Sequence, residues 1–259
     1  MESALDYWTA RAALDWQIEM GVDECIQDAP IDRYALEDKP KPAPEAKATK
    51  GSPAPPPVSD PDVDAVAVAQ TVAADAQDLS ALQAAMAAFS HCPLKDAARN
   101  LVFSDGTADA PVMMITDAPD REDDRANALH SGRKGVLFDR MLAAIGWDRK
   151  TGVYSVPVLP WNPPQNRAPT AAELAMMHPF LERHIELANP AILVLMGNGP
   201  CQSLLGKAGV TRMRGQWAEV LGRPALPMVS PDYLLENPLA KRDAWADLLS
   251  LKAKRDQTS

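Results

Sequence analysis

Pro111-Val112-Met113-Met114-Ile115-Thr116 is a short run, apolar almost throughout, with turn signals beyond both ends. A run of this length without polar alternation is what a strand buried on both faces of a parallel sheet requires. Val153–Leu159, Ala191–Met196 and Pro224–Val229 repeat the signal further along the chain. Helical patterns fall between these runs. Gly135–Ile145 is helical and stops at Gly146. Residues 170–188 form a helix with Thr170 as N-cap and Glu173 three residues on, a capping box. Gly197-Asn198-Gly199 turns the third run into a helix over 199–206, and residues 238–254 close the chain as a helix. This alternation predicts an α/β fold, a parallel sheet with helices on both faces. Ligands are then expected outside the carboxyl ends of the strands.

The first third of the chain reads differently. Residues 1–91 hold 6 Lys/Arg and 16 Asp/Glu, a net of −10, whereas residues 92–259 hold 20 and 19, a net of +1. The acidity therefore belongs to a front segment attached to a neutral body. Residues 1–37 form an acidic segment with a helix over 3–20 that carries Trp8 and Trp16. Two tryptophans on so short a helix need a surface, either the protein's own body or a protein partner. Residues 38–62 are a Pro/Ala-rich linker without a core of its own, expected to be disordered. Residues 63–89 are Ala-rich and helical, and residues 90–255 form the main domain. The overall net charge of −9 argues against avid nonspecific nucleic-acid binding.

Cys25, Cys92 and Cys201 are too few and too scattered for a disulfide framework, which fits a reducing cytoplasm. No cationic start leads into an apolar run, and no apolar stretch approaches the roughly 18 residues of a membrane span.

The most specific signal is a set of motifs in a fixed order. Pro163-Pro164-Gln165-Asn166-Arg167-Ala168-Pro169-Thr170 precedes the capped helix. Leu137-Phe138-Asp139-Arg140-Met141-Leu142-Ala143-Ala144-Ile145-Gly146, Arg212-Met213-Arg214-Gly215-Gln216-Trp217 and Pro231-Asp232-Tyr233-Leu234-Leu235-Glu236-Asn237-Pro238 accompany it. Over residues 92–250 these motifs resemble the family 4 uracil-DNA glycosylases. The resemblance implies a three-layer α/β/α sandwich around a four-stranded parallel sheet. It also implies a link to bacterial DNA base-excision repair, in which a uracil is flipped out of DNA and its N-glycosidic bond is cleaved. That chemistry needs a polar group to place water, a donor for charge on the departing uracil, an amide to read the base edge and a ring to stack on it.

The positions that carry these roles in the family are mostly replaced. The Gly-Glu-x-Pro-Gly motif appears as Thr116-Asp117-Ala118-Pro119-Asp120, with Asp117 one methylene shorter and both glycines gone. The stacking phenylalanine falls on His130, the base-reading asparagine on Pro157, and the histidine that stabilises the leaving anion on Ser230. Asp117 and Ser230 are thus the candidate catalytic residues. Ala118, Pro119, His130, Pro157 and Asn198 are the expected substrate pocket. Arg133, Lys134, Asn166, Arg167, Arg212, Arg214 and Tyr233 are the expected DNA contacts, with Leu234 as an apolar wedge.

Family 4 members usually hold a [4Fe–4S] cluster on four cysteines. Here those positions carry Phe89, Cys92, Trp161 and Met177, so no iron–sulfur cluster and no other cofactor is expected. Three functions stay open. The first is a degenerate, non-catalytic protein that binds DNA or a repair partner. The second is an active glycosylase of altered substrate range using Asp117 as base. The third is a scaffold that no longer meets nucleic acid.

Overall fold

A computed structural model describes residues 64–258, together with Arg11 and Trp16. Arg11 and Trp16 are helical and exposed; Trp8, the rest of the expected 3–20 helix and the 38–62 linker lie outside the described residues. The chain divides into two units, Met1–Pro57 and Val58–Ser259, and only the second is described as a fold.

That unit opens with α1 (Ala65–Asp75) and α2 (Leu79–Ala88), capped by the carboxylates of Asp64 and Asp78. The short α3 (Leu94–Ala97) leads to a two-residue strand β1 (Asp105–Gly106) and then β2 (Val112–Thr116). Two helices, α4 (Arg121–Ala126) and α5 (Gly132–Ala144), separate β2 from β3 (Tyr154–Pro157). A tight turn at Pro164–Asn166 precedes the long α6 (Ala171–Ala188), β4 (Ile192–Met196), α7 (Asn198–Leu205) and the one-turn α8 (Val210–Met213). A hairpin of β5 (Ala218–Val220) and β6 (Arg223–Met228) is followed by α9 (Pro231–Glu236) and α10 (Lys241–Thr258).

The sheet order is β1-β3-β2-β4-β6-β5. The four expected strands are its parallel centre, β3-β2-β4-β6. Two antiparallel edges, β1 on β3 and β5 on β6, extend it to six strands, where four were expected. Because successive strand residues point to opposite faces, the apolar runs feed two cores. Met113, Ile115, Leu193 and Leu195 face α1, α2, α6 and α7. Val112, Met114, Val194 and Met196 face Phe138 and Leu142 of α5 and Leu248 and Leu251 of α10. Each such fully buried side chain contributes about 1.5–3 kcal/mol relative to exposure. The result is a three-layer α/β/α sandwich.

Ala69 and Ala73 of α1 and Leu82 and Met86 of α2 are buried in the first core, so the described part of the Ala-rich segment, residues 64–89, packs with the sandwich. Small residues on α1 let it approach α6 closely. Arg183 of α6 ties down the connection between the two helices by donating to the Ala76 carbonyl from Nε (3.0 Å) and Nη2 (2.7 Å).

Candidate active site

The parallel strands end together, and the segments leaving them build the site. The β2 end contributes Asp117–Asp120, the β4 end Gly197–Gly199 and the β6 end Ser230 and Asp232. His130 and Lys134 approach from the segment that enters α5.

Asp117 Oδ1 accepts the Gly199 N–H at 2.7 Å, at the start of α7. Burial pushes its carboxyl up to about 6, against the Gly199 hydrogen bond and with the help of nearby Asp232. The fit is close. A Cβ on Gly197 would lie 1.9 Å from Asp117 Oδ2, and one on Gly199 would lie 2.6 Å from Oδ1. Gly197 also adopts φ +116°, a backbone conformation that strains other residues. The close approach that the family's glycines would allow after β2 is here provided by two glycines after β4. Two glycines directly following an apolar run were the available signal for it.

His130 is in the left-handed region at φ +54° and is buried. Its ring stacks on Phe138 with centroids 3.9 Å apart, and Nε2 lies 3.3 Å from Ser155 Oγ. Burial, then the charges of Lys134 and Arg149, push its pKa down to about 3, so the imidazole is neutral at pH 7.

Lys134 is buried, its Nζ 2.5 Å from Asp120 Oδ2 and 2.6 Å from Asp123 Oδ2. Burial opposes its charge, but the two carboxylates outweigh burial and hold its pKa above the usual lysine value. Asp120 also caps α4, accepting from the Glu122 and Asp123 N–H groups at 2.8 and 2.9 Å. The expected phosphate cation is therefore the centre of an internal ion cluster. The Asp120 that replaces a family glycine is its partner.

Ser230 caps α9, its Oγ accepting the Tyr233 N–H at 3.3 Å, so one hydroxyl proton remains to donate. Between Asp117, His130, Lys134, Ser230 and Asp232 lies a cavity of about 30 Å³. That volume has room for a water or two, and the recess shares Asp117, Ala118 and Asp232 with the space outside it. Outside it, Asp117, Ala118, Pro119, Asn166, Arg167 and Asn198 line a wider cleft of about 490 Å³. The structure thus brings these six candidates together. Pro157 stands apart as a buried residue of β3 opposite Thr116, where it offers no side-chain hydrogen bond.

The other expected DNA contacts fall into three groups. Arg167 makes a two-point ion pair with Glu173 (2.9 and 2.6 Å), and Arg214 one with buried Asp247 (2.8 and 2.6 Å). Leu234 is 1% exposed, covered by the second layer of helices, so it is core in place of the expected wedge; Tyr233 is half-buried beside it. Arg133 and Arg212 are exposed on α5 and α8. Asn198 accepts from the Gly209 and Val210 N–H groups at 3.1 and 2.9 Å, fixing the entry to α8.

Phe89, Cys92, Trp161 and Met177 are all buried in one core. Burial pushes the Cys92 thiol up, away from the thiolate a metal needs. One thiol among three apolar side chains does not fit a four-thiolate cluster. Among the described residues, no group of three or more His, Cys, Asp or Glu side chains could hold a metal ion.

The profile of the uracil DNA glycosylase superfamily matches residues 103–249. The type-4 uracil-DNA glycosylase of Thermotoga maritima is 32% identical over 149 residues, covering 56% of this chain and 77% of that protein. That of Archaeoglobus fulgidus is 31% identical over 134 residues, covering 50% of this chain and 67% of that protein. A DNA polymerase of Bacillus phage SP01 is 28% identical over 133 residues, 51% of this chain but 14% of that protein. The chain belongs to the uracil-DNA glycosylase superfamily. Within it, the chain is a family 4-like member, a DNA-repair glycosylase-like protein. No helix among the described residues is long and apolar enough to cross a membrane.

Proposed function

We propose that this protein binds DNA, as a member of a repair system, without cleaving N-glycosidic bonds. The observation that carries this reading is that the polar side chains around the innermost recess are already engaged with one another. His130 is committed to Phe138 and Ser155, and Lys134 to Asp120 and Asp123, so the space is filled by side chains that hold each other. The leaving uracil anion would meet Asp117 and Asp232, with a serine hydroxyl as its side-chain donor in the place of the family histidine. Loss of a single preorganised donor to a developing anion costs about 10²–10³ in rate. At Pro157 no amide reads the base.

A second reading has one observation in its favour. Asp117 is raised to about 6 and held by Gly199 beside a water-sized cavity, as a water-activating carboxylate would be. Base release from single-stranded and duplex oligonucleotides containing uracil, hypoxanthine or xanthine, with protein in excess, separates the two. The proposal expects no release. Release that Asp117→Asn cuts by about tenfold or more establishes the second reading.

The same reading makes the protein cluster-free, with Trp161 and Met177 packing where thiolates would bind. Iron analysis with absorbance near 400 nm checks it, and stoichiometric iron overturns it. A cytoplasmic location and a protein partner for the Trp8/Trp16 segment complete the reading. Removal of residues 1–62 with unchanged domain stability and loss of a repair partner supports that role for the segment.

A further inference from the structure

A second groove of about 490 Å³ meets the first at Pro163 and Asn166, and its chemistry is the reverse. It is lined by Arg99, Arg121, Arg125, Asn162, Gln165 and Asn166. Arg121 and Arg125 are four residues apart, on the same side of α4. Arg99 comes from the segment after α3. All three are exposed, and none has a carboxylate ion pair among the described residues.

The one acid of the groove, Asp124, is buried and has another task. It accepts the Arg99 N–H at 3.1 Å and the Asn100 N–H at 2.9 Å, and its own carbonyl accepts the Asn100 side-chain amide. These bonds clamp the Arg99 segment to α4, so the three guanidinium groups stand on a preassembled frame. The opposite wall is unusual too. Gln165 and Asn166 are consecutive non-glycine residues at φ +59° and +54°. Such backbone costs of order 1 kcal/mol or more per residue, and here the Asn166 N–H to the Pro163 carbonyl (3.0 Å) and the Arg167 N–H to the Pro164 carbonyl (3.3 Å) fix the turn that presents the two amides.

We propose that this groove holds the phosphodiester backbone of a single DNA strand. The arginines take the phosphates, and the amides of Gln165 and Asn166 line the facing wall. Arginine is the side chain suited to this task, since its planar fork pairs with two phosphate oxygens at once. The strand then passes along the α4 edge of the cleft. Lys134, Arg167 and Arg214 are not among its partners, because each is already paired with a carboxylate. The inference rests on the DNA-binding reading above and names the surface that serves it.

The test is fluorescence anisotropy of a labelled oligothymidylate without uracil, titrated with the full chain across a salt series. Wild type should bind with a log–log salt slope of about −0.7 for each phosphate neutralised. The triple change Arg99→Gln, Arg121→Gln and Arg125→Gln should flatten the slope by about two and weaken binding at low salt by at least about tenfold. The corresponding triple lysine variant should keep the slope, since it keeps the charge. Thermal unfolding of each variant, and the single change Arg121→Gln, guard against a folding artefact. Binding by wild type with an unchanged slope in the glutamine variant overturns the groove and leaves the DNA reading intact. No binding by wild type overturns both. Inorganic triphosphate that binds as tightly as the strand, phosphate for phosphate, replaces the strand with a small polyphosphate and overturns the proposal.

Discussion

The two recesses that meet at Pro163 and Asn166 are built on opposite plans. In the first, Asp117, Asp120, Asp232 and Glu236 line the wall, and the buried cation Lys134 is held by Asp120 and Asp123. Among the described residues no buried side-chain polar atom lacks a hydrogen-bond partner, so this interior is internally satisfied. In the second, three arginines face the groove and the single carboxylate is turned to backbone N–H groups. A cation that stabilises its own fold has little left for a phosphate; one without a partner is available at small cost. The contrast is the one that the proposed reading, a DNA-binding member that releases no base, requires.

The largest expected effect is on the filled side. Lys134→Ala leaves buried Asp123 facing Asp120 with no cation, and should lower unfolding free energy by about 3 kcal/mol or more in chemical denaturation. Adding Asp123→Asn should recover part of that loss. A cost under about 1 kcal/mol would mean that the pocket is not held by this cluster.

The next effect depends on pH. Asp117 keeps its proton to about pH 6 in the folded chain, whereas the unfolded carboxyl loses it near the ordinary 3.8. Between these values the folded state binds more protons, so this group's contribution to stability declines as pH rises through that window. Asp117→Asn removes the titration. The stability of the variant relative to wild type should therefore grow by about 2–3 kcal/mol from pH 4 to pH 7. His130 and His184 act with the opposite sign, since both are held neutral down to about pH 3. Their contribution is present above the unfolded value of 6.5 and is lost as pH falls toward 3, so wild-type stability should drop in acid. An imidazole of His130 that titrates by NMR near 6.5 would contradict its packing on Phe138.

A smaller change sharpens the geometry around Asp117. Gly197→Ala places a Cβ against the carboxylate at a backbone angle alanine tolerates poorly, and should cost about 1–3 kcal/mol. The smallest effect is expected at Arg133 and Arg212. Either changed to Gln should alter stability by no more than about 0.5 kcal/mol. Either should also leave the DNA salt slope unchanged, whereas loss of one phosphate contact would shift it by about 0.7.

The sheet was legible because four buried strands must be apolar on both faces, and little else in the sequence is. The edges were not. β1 is Asp105-Gly106, too short and too polar for any periodicity. The β5–β6 hairpin turns through Leu221 and Gly222, both at positive φ, where an Asn-Gly pair would have announced the turn. At the site, the residue types that depart from the family were readable, including Pro157 and Ser230, but their occupations were not. Lys134 reads as a DNA contact because its partners lie 14 and 11 residues away and meet it only once α4 and α5 have folded together. Leu234 read as a wedge, although α5 and α10 cover it. Arg99, Arg121 and Arg125 form no motif in the sequence, because they come from two separate segments that Asp124 joins.

The most direct test of the filled pocket is single-turnover uracil release by wild type beside a variant that restores the family's side chains, His130→Phe, Pro157→Asn and Ser230→His. The account predicts no release by wild type and none by the restored variant, whose added side chains leave the Lys134–Asp120–Asp123 cluster in place. Uracil release by wild type that Asp117→Asn abolishes would contradict it, and the substituted positions would then be determinants of a working glycosylase.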